Sequence, residues 1–351
     1  MSETEYNHFP PPTPRKTGWP WLSTSAIIPS TMPDGSPWPK ISIVTPSFNQ
    51  AQYLEETIRS VLLQGYPNLE YFIIDGGSTD GSVEIIKKYE PWLTYWVSEP
   101  DRGQSHAINK GWQHSTGEIL GWLNSDDMLY PEALKQVAQA FKENPDAGLI
   151  HGKVITINES GAPIGTLTGG NLLLHESITT SVNPVAQPAA YITRTALNKV
   201  GVLDENLHVA MDWDLWIRIA SNFPTVHMNK SWAYFRIWPD AKGSTLTLQA
   251  YTEHLAAVKK LFKKTPIKQI PMNVRRHALA QNYGKDALYR YETGERFNFR
   301  WHLFLSLLLA PGLKGGKAHN LVPELFLGKK LVNFLIKIKR RYQNPENIGI
   351  K

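Results

Sequence analysis

The sequence predicts an α/β fold built on a mainly parallel sheet with helices on both faces. Three observations carry that expectation. Short β-rich apolar runs alternate with stretches of helical period from residue 41 to about residue 145. Each apolar run ends in a polar cluster, and sheets of this kind bind ligands beyond the carboxyl ends of their strands. No run approaches the roughly 20 apolar residues of a membrane span; the longest candidate, Leu303 to Ala310, stops at Pro311-Gly312.

The elements follow in order. Residues 1–40 hold nine of the 25 prolines, with Ser and Thr between them. Polar, Pro-rich sequence builds little helix or sheet, so this stretch reads as a tail or a wrapping arm. Trp19, Trp21, Ile27, Ile28 and Trp38 argue that part of it docks on the body. Ile41 to Thr45 is the first strand. Leu54, Ile58, Val61 and Leu62 then mark one face of a helix. Tyr71 to Ile74 is a second strand, Gly81 to Tyr89 a helix and Leu93 to Val97 a third strand. Residues 105–114 are helical and Ile119 to Leu123 make a fourth strand. Pro131 suits the first turn of the next helix, which buries Leu134, Val137, Ala138 and Phe141.

Beyond residue 150 the alternation breaks down. Gly148 to Ile157 and Val185 to Thr193 read as strands of a mixed region. Met211 to Ala220 reads as a helix with Leu215 and Ile219 inward. Residues 252–264 and 273–292 read as basic helices.

Composition narrows the function. Cysteine is absent, which excludes disulfides and thiolate zinc sites and fits a reducing cytoplasm. Met1 to Phe9 is polar, without a signal-peptide core. The net charge of +6 hides an asymmetry. Residues 251–351 hold 20 Lys and Arg against 6 Asp and Glu, a balance of +14, while the rest of the chain is at −8. No nucleic-acid-binding motif accompanies the basic third, so nucleic acid is not an expected partner. Within it, Leu327, Leu331, Phe334, Leu335 and Ile338 form one apolar stripe beside Lys329, Lys330, Lys337, Arg340 and Arg341. A helix of this kind over 323–341 suits either an anionic membrane interface or docking on the body.

The polar clusters carry the chemistry. They are Thr45-Pro46-Ser47-Phe48-Asn49, Asp75-Gly76-Gly77-Ser78-Thr79-Asp80, Ser98 to Gln104, and Asn124-Ser125-Asp126-Asp127. Two adjacent carboxylates at the mouth of a buried strand repel each other, and a hard divalent cation relieves that repulsion. An acidic turn before a helix is the alternative reading of Asp126 and Asp127 taken alone. Four such loops on one rim favour a ligand.

The order and spacing of Ser42 to Asn49, Ile74 to Gly81, Asp101 to Gly111, Asn124 to Asp127 and Asp212-Trp213-Asp214-Leu215-Trp216 resemble the family-2 glycosyltransferases of the GT-A fold. The resemblance covers about residues 41–245. It implies a catalytic domain there, with a nucleotide-binding half at 41–130 and an acceptor half at 131–245. The Pro-rich arm precedes it, and a helical basic region follows at 246–351.

The implied reaction is inverting transfer of a sugar from a nucleotide-sugar, best a UDP-sugar, to an acceptor hydroxyl. The acceptor would be a glycan or a lipid-linked glycan in surface polysaccharide synthesis. The protein would be cytoplasmic or peripheral on the inner membrane face. Mn²⁺ or Mg²⁺ would be held by Asp126 and Asp127, and Asp212 would be the catalytic base. Asp75 would read uracil. Thr45, Pro46, Ser47, Asn49, Gly76, Gly77, Asp101, Arg102, Gln104, Asn124 and Ser125 would complete the donor site. Arg236 and Lys242 are candidate phosphate contacts, and Trp213 and Trp216 candidate acceptor contacts. Asp80 is as well suited to cap the next helix as to touch ligand.

Three departures from the family pattern stand out. Gly76 replaces an acidic residue, Asn124 replaces the first Asp of the acidic motif, and Trp238 stands near a position where the family often has His. The competing classes are a nucleotidyltransferase and a non-catalytic sugar-binding or assembly protein. The loop after the first strand lacks the Gly-rich basic character of the former and the G-x-G-x-x-G of a dehydrogenase.

Overall fold

The computed structural model describes residues 9–13, 16–22, 28–239 and 249–310. The chain divides into two units, one of residues 1–177 and 182–247, the other of 178–181 and 248–351.

In the first unit, β1 (Ile41–Ser47) is buried along its whole length. It lies between β2 (Leu69–Asp75) and β4 (Ile119–Trp122), parallel to both, and β3 (Tyr95–Ser98) continues the parallel set beyond β2. Burial on both faces explains why these strands read as continuous apolar runs. The register places Ser47 beside Asp75, and Asp75 beside Ser98. Three of the polar clusters therefore begin at one level of the sheet.

Helices cover both faces. α1 (Ala51–Leu62) and α2 (Ser82–Tyr89) pack Leu54, Ile58 and Ile86 into one core with Ile41, Ile43 and Tyr71. α3 (Gln104–His114) packs Ala107, Ile108 and Trp112 into the other core with Val44, Phe72 and Leu120. Gly111 permits this: a Cβ there would sit 2.5 Å from Val44 Cγ1. The close approach brings the loop before α3 to the rim of the sheet.

The remaining elements are β5 (Met128–Leu129), α4 (Ala133–Glu143), β6 (Leu149–Ile157), β7 (Pro163–Leu167), α5 (Leu174–Thr180), β8 (Ala190–Thr193), α6 (Arg194–Val200), α7 (Met211–Ala220) and β9 (Thr225–Arg236). The sheet runs β3-β2-β1-β4-β8-β6-β9-β5, with β7 on β6. β8 is antiparallel to both β4 and β6, while β9 is parallel to β6. β6 and β9 thus share the direction of β1 to β4, and β9 ends at the same carboxyl rim of the sheet.

Three expectations shift. The helix expected from Pro131 starts at Ala133. Only Ala190–Thr193 of the expected 185–193 strand pairs; Gln187–Ala189 is a 3-10 turn, and Pro188 has no N–H to give a ladder. The sequence does not predict β9. Its residues alternate poorly between buried and exposed, so no period of two shows.

The arm lies partly on the first core: Trp21, Ile28 and Trp38 are buried, whereas Ile27 lies outside the described residues. Arg59 of α1 donates to the carbonyls of Pro10, Pro20 and Trp21.

The second unit contains α8 (Gln249–Lys264), α9 (Met272–Glu292) and α10 (Arg296–Leu309). Ala287, Phe299 and Leu303 form its apolar contact. Buried Asn282 bonds the carbonyl of Ile178 and the hydroxyl of Ser181. No helix among the described residues is long and apolar enough to cross a membrane. Lys242 and the stripe at 323–341 lie outside the described residues.

Candidate active site

A cavity of about 820 Å³ opens at the carboxyl rim of the sheet. Of the residues singled out by sequence, Pro46, Ser47, Gly76, Asp101, Gln104, Asn124, Ser125, Asp126, Asp212 and Arg236 line it. Its wall also holds Phe48, Gln187, His208 and Trp238.

The floor is a set of interlocked turns. Asp75 is fully buried, and its two oxygens accept from Gly77 N, Ser78 N, Ser78 Oγ and Ser98 Oγ. Three of these four bonds come from Gly77 and Ser78, so the carboxylate shapes the 76–80 loop. Gly77 turns that loop at φ +85°, a left-handed conformation that glycine adopts without cost. Gly76 does face the cavity, and a Cβ there would stand 3.0 Å from Asp101 Oδ2.

Thr45 is buried against the Tyr71 hydroxyl at 3.0 Å. Asn49 braces the loop through Ser78 and Thr79. Asp80 accepts from Ala51 N and from Ser82 N and Oγ, tying α1 to α2.

On the next wall, Asp101 Oδ1 accepts from Gly103 N at 2.7 Å. Arg102 does not reach the cavity wall. Its guanidinium meets Glu205 Oε2 at 3.0 and 2.7 Å in an exposed ion pair. Gln104 donates to Asn124 Oδ1 at 2.6 Å, and Asn124 donates to Gln187 Oε1 at 3.2 Å. Gln187 in turn donates to the Trp122 carbonyl. This amide chain fixes Asn124, and sequence reasoning missed Gln187 because it sits in a segment read as strand.

The two acidic neighbours part company. Asp126 faces the cavity, and its Oδ2 accepts from Trp238 Nε1 at 2.9 Å. Asp127 is buried, with Oδ1 accepting from Arg236 N at 3.0 Å. Burial pushes the Asp126 carboxyl above its usual range. Burial and the neighbouring Asp126 charge push Asp127 well above it.

A divalent ion fits this arrangement in one way. The described residues contain no group of three or more His, Asp or Glu placed to cage a metal. Mg²⁺-type sites need fewer: one or two carboxylates, with substrate phosphates and water completing the shell. Asp126 is a carboxylate of that kind.

Arg236 lines the cavity with its guanidinium turned into the protein. It is 1% exposed, and its guanidinium donates to Asp126 O, Asn158 O, Glu159 O and Glu56 Oε2. Those bonds use four of its five N–H groups.

Asp212 opens α7 and faces the cavity. Its Oδ1 accepts from Trp213 N at 2.7 Å and its Oδ2 from Asn183 Nδ2 at 2.9 Å. Asp214 points into the core and pairs with Arg218 at 2.8 Å. Trp213 and Trp216 do not line the cavity. Trp216 stacks on Trp122 at 5.4 Å, and Trp213 donates to Ser177 Oγ; both are buried.

A GT-A type α/β unit with an acidic rim site is the class that this geometry defines. Among solved structures, the chain resembles Staphylococcus aureus TarS in complex with UDP-GlcNAc, with a TM-score of 0.61 and 17% identity over 89% of this chain and 94% of that one. It also resembles the mannosyltransferase PcManGT of Pyrobaculum calidifontis in complex with GDP-Man and Mn²⁺, with a TM-score of 0.53 and 16% identity over 93% of this chain and 92% of that one.

Residues 42–198, a little under half of the chain, match the glycosyl transferase family 2 model. An uncharacterized glycosyltransferase of Rickettsia felis is 28% identical over 202 residues, 55% of this chain and 33% of the relative. One from Mycobacterium tuberculosis H37Rv is 28% identical over 193 residues, 52% of this chain and 69% of the relative. The chain thus spans about a third of the length of the Rickettsia relative.

Proposed function

We propose that the protein transfers a sugar from a nucleotide-sugar to an acceptor hydroxyl with inversion at the anomeric carbon. One observation carries the reading: Asp126 and Asp212, far apart in sequence, line the same cavity at the carboxyl rim of the sheet. A non-catalytic binding protein has no need of both.

The chain's residues divide the work. Pro46, Ser47, Gly76, Asp101 and Gln104 form the donor wall, with Gly76 allowing close approach of the nucleotide. Asp212, held by Asn183 and its own helix N-terminus, takes the proton of the acceptor hydroxyl. The freed oxygen attacks the anomeric carbon opposite the departing nucleoside diphosphate. A divalent ion on Asp126 would offset the charge gathering on that leaving group.

UDP is the preferred nucleotide in this reading, and TarS bound to UDP-GlcNAc supports it at the level of fold. A glycan or lipid-linked acceptor in surface polysaccharide synthesis, at a cytoplasmic or inner-membrane-face location, belongs to the same proposal. The basic balance of residues 251–351 and the exposed Phe297, Trp301, Phe304 and Leu308 of α10 suit an anionic membrane surface.

A thermal-shift panel of UDP, dTDP and GDP, each with and without Mn²⁺, tests the donor side. UDP with Mn²⁺ is expected to raise Tm most. A panel with no shift for any nucleotide would reject the proposal.

A further inference from the structure

We infer that Glu56 and Arg236 are a positioning pair that holds the Asp126-Asp127 turn in its donor-binding geometry, and that the N-terminal arm completes the pair. The inference rests on the nucleotide-sugar reading of the cavity.

The hydrogen bonds of the buried Arg236 guanidinium end on the acidic turn, on the turn after β6 and on Glu56. Nε reaches Asp126 O at 2.9 Å, and Nη1 reaches Asn158 O and Glu159 O at 3.1 and 2.9 Å. Nη2 meets Glu56 Oε2 at 2.6 Å. The backbone N–H of the same residue holds Asp127 Oδ1. One residue therefore grips Asp126 by its carbonyl and Asp127 by its carboxylate. The Asp126 side chain is left facing the cavity.

Glu56 anchors this grip from α1. It is 8% exposed, and it is the carboxylate paired with the buried guanidinium. Its α1 neighbours brace the same turn. Thr57 Oγ1 donates to Asp127 O at 2.6 Å, and Ser60 Oγ accepts from Leu129 N at 3.0 Å. Tyr53 lies 4.3 Å from the guanidinium and packs edge-on against Trp238, whose indole N–H holds Asp126 Oδ2. The carboxylate facing the cavity is thus fixed from both sides.

The arm reaches the same carboxylate. Lys16 Nζ and Trp21 Nε1 donate to Glu56 Oε1 at 2.8 and 3.4 Å. Arm docking thereby adds two donors to the oxygen of Glu56 that Arg236 does not use. A pair with only a structural role would change stability when broken. A positioning pair also changes how well Asp126 serves a ligand.

Calorimetric titration of the full chain with UDP, with and without Mn²⁺, separates these roles, with Tm measured beside it. The variants are Glu56→Gln, Arg236→Lys and Lys16→Ala. The control is Glu70→Gln. Glu70 accepts from Ser42 and Thr116 near the start of β2, the end opposite Asp75. Glu56→Gln and Arg236→Lys are expected to cut the Mn²⁺-dependent tightening of UDP by about tenfold, the scale for groups that orient a metal ligand. Lys16→Ala is expected to act in the same direction but less, and Glu70→Gln to lower Tm with the tightening kept.

Glu56→Gln that lowers Tm yet keeps wild-type tightening would overturn the inference. Should that variant not fold, Lys16→Ala decides: reduced tightening supports the inference, and unchanged tightening overturns it. Wild-type protein that ignores UDP and Mn²⁺ would remove the functional reading itself, and the positioning claim with it.

Discussion

Asp126 and Asp127 are adjacent in sequence and opposite in environment. One faces the cavity; the other is buried under the Arg236 backbone. Sequence could show the pair but not the split, because a turn residue's direction depends on what packs beneath it. Asp126→Ala is expected to weaken Mn²⁺-dependent UDP binding by about tenfold or more. Asp127→Asn, which keeps an oxygen for the Arg236 N–H, is expected to change it far less. Titration of both variants checks the difference; equal losses would give the two carboxylates equal roles. Asp212 stands out in sequence through its motif and lines the cavity, whereas Asp214 turns away to Arg218. Asn183, Gln187 and Glu56 were not legible. Each is a polar residue in a segment without a motif, and only the fold brings it to the rim.

The strands and helices from β1 to β4 could be read from period alone, because their burial is uniform and their lengths are ordinary. β9 could not: Lys230 and Ser231 interrupt it, and its pairing partner β6 lies some 75 residues away. This strand nevertheless ends with Arg236 at the site, and Trp238 follows two residues later. α7 shows the converse. Its Asp-Trp-Asp-Leu-Trp run invited a sugar-stacking role for the tryptophans, but the helix turns both inward. Trp216→Ala is therefore expected to cost about 3–5 kcal/mol of stability, the range for a large aromatic removed from a core. Urea unfolding measures it. An unchanged midpoint with a raised acceptor KM would instead restore Trp216 to the acceptor site.

The stability of the whole protein should depend on pH through a histidine outside the cavity. His151 on β6 is fully buried beside His227, with ring centroids 5.0 Å apart. Burial, with a smaller contribution from His227, lowers its pKa from 6.5 to about 4. The unfolded chain binds this proton more readily. Stability is therefore intact above pH 6.5 and falls as pH drops toward 4, by up to about 3 kcal/mol from this group. His151→Leu is expected to flatten that fall when urea midpoints at pH 7.5 and 4.5 are compared. An identical pH dependence in wild type and variant would assign the effect to other groups.

The central claim is that one cavity both holds a nucleotide-sugar and carries the base that activates the acceptor. Donor turnover by Asp212→Asn, measured with a UDP-sugar, Mn²⁺ and an accepting glycan beside a donor titration of the same variant, tests it most directly. The expected result is donor affinity close to wild type with transfer reduced by at least about a hundredfold, the lower scale of general-base catalysis. Transfer at the wild-type rate in that variant would contradict the claim.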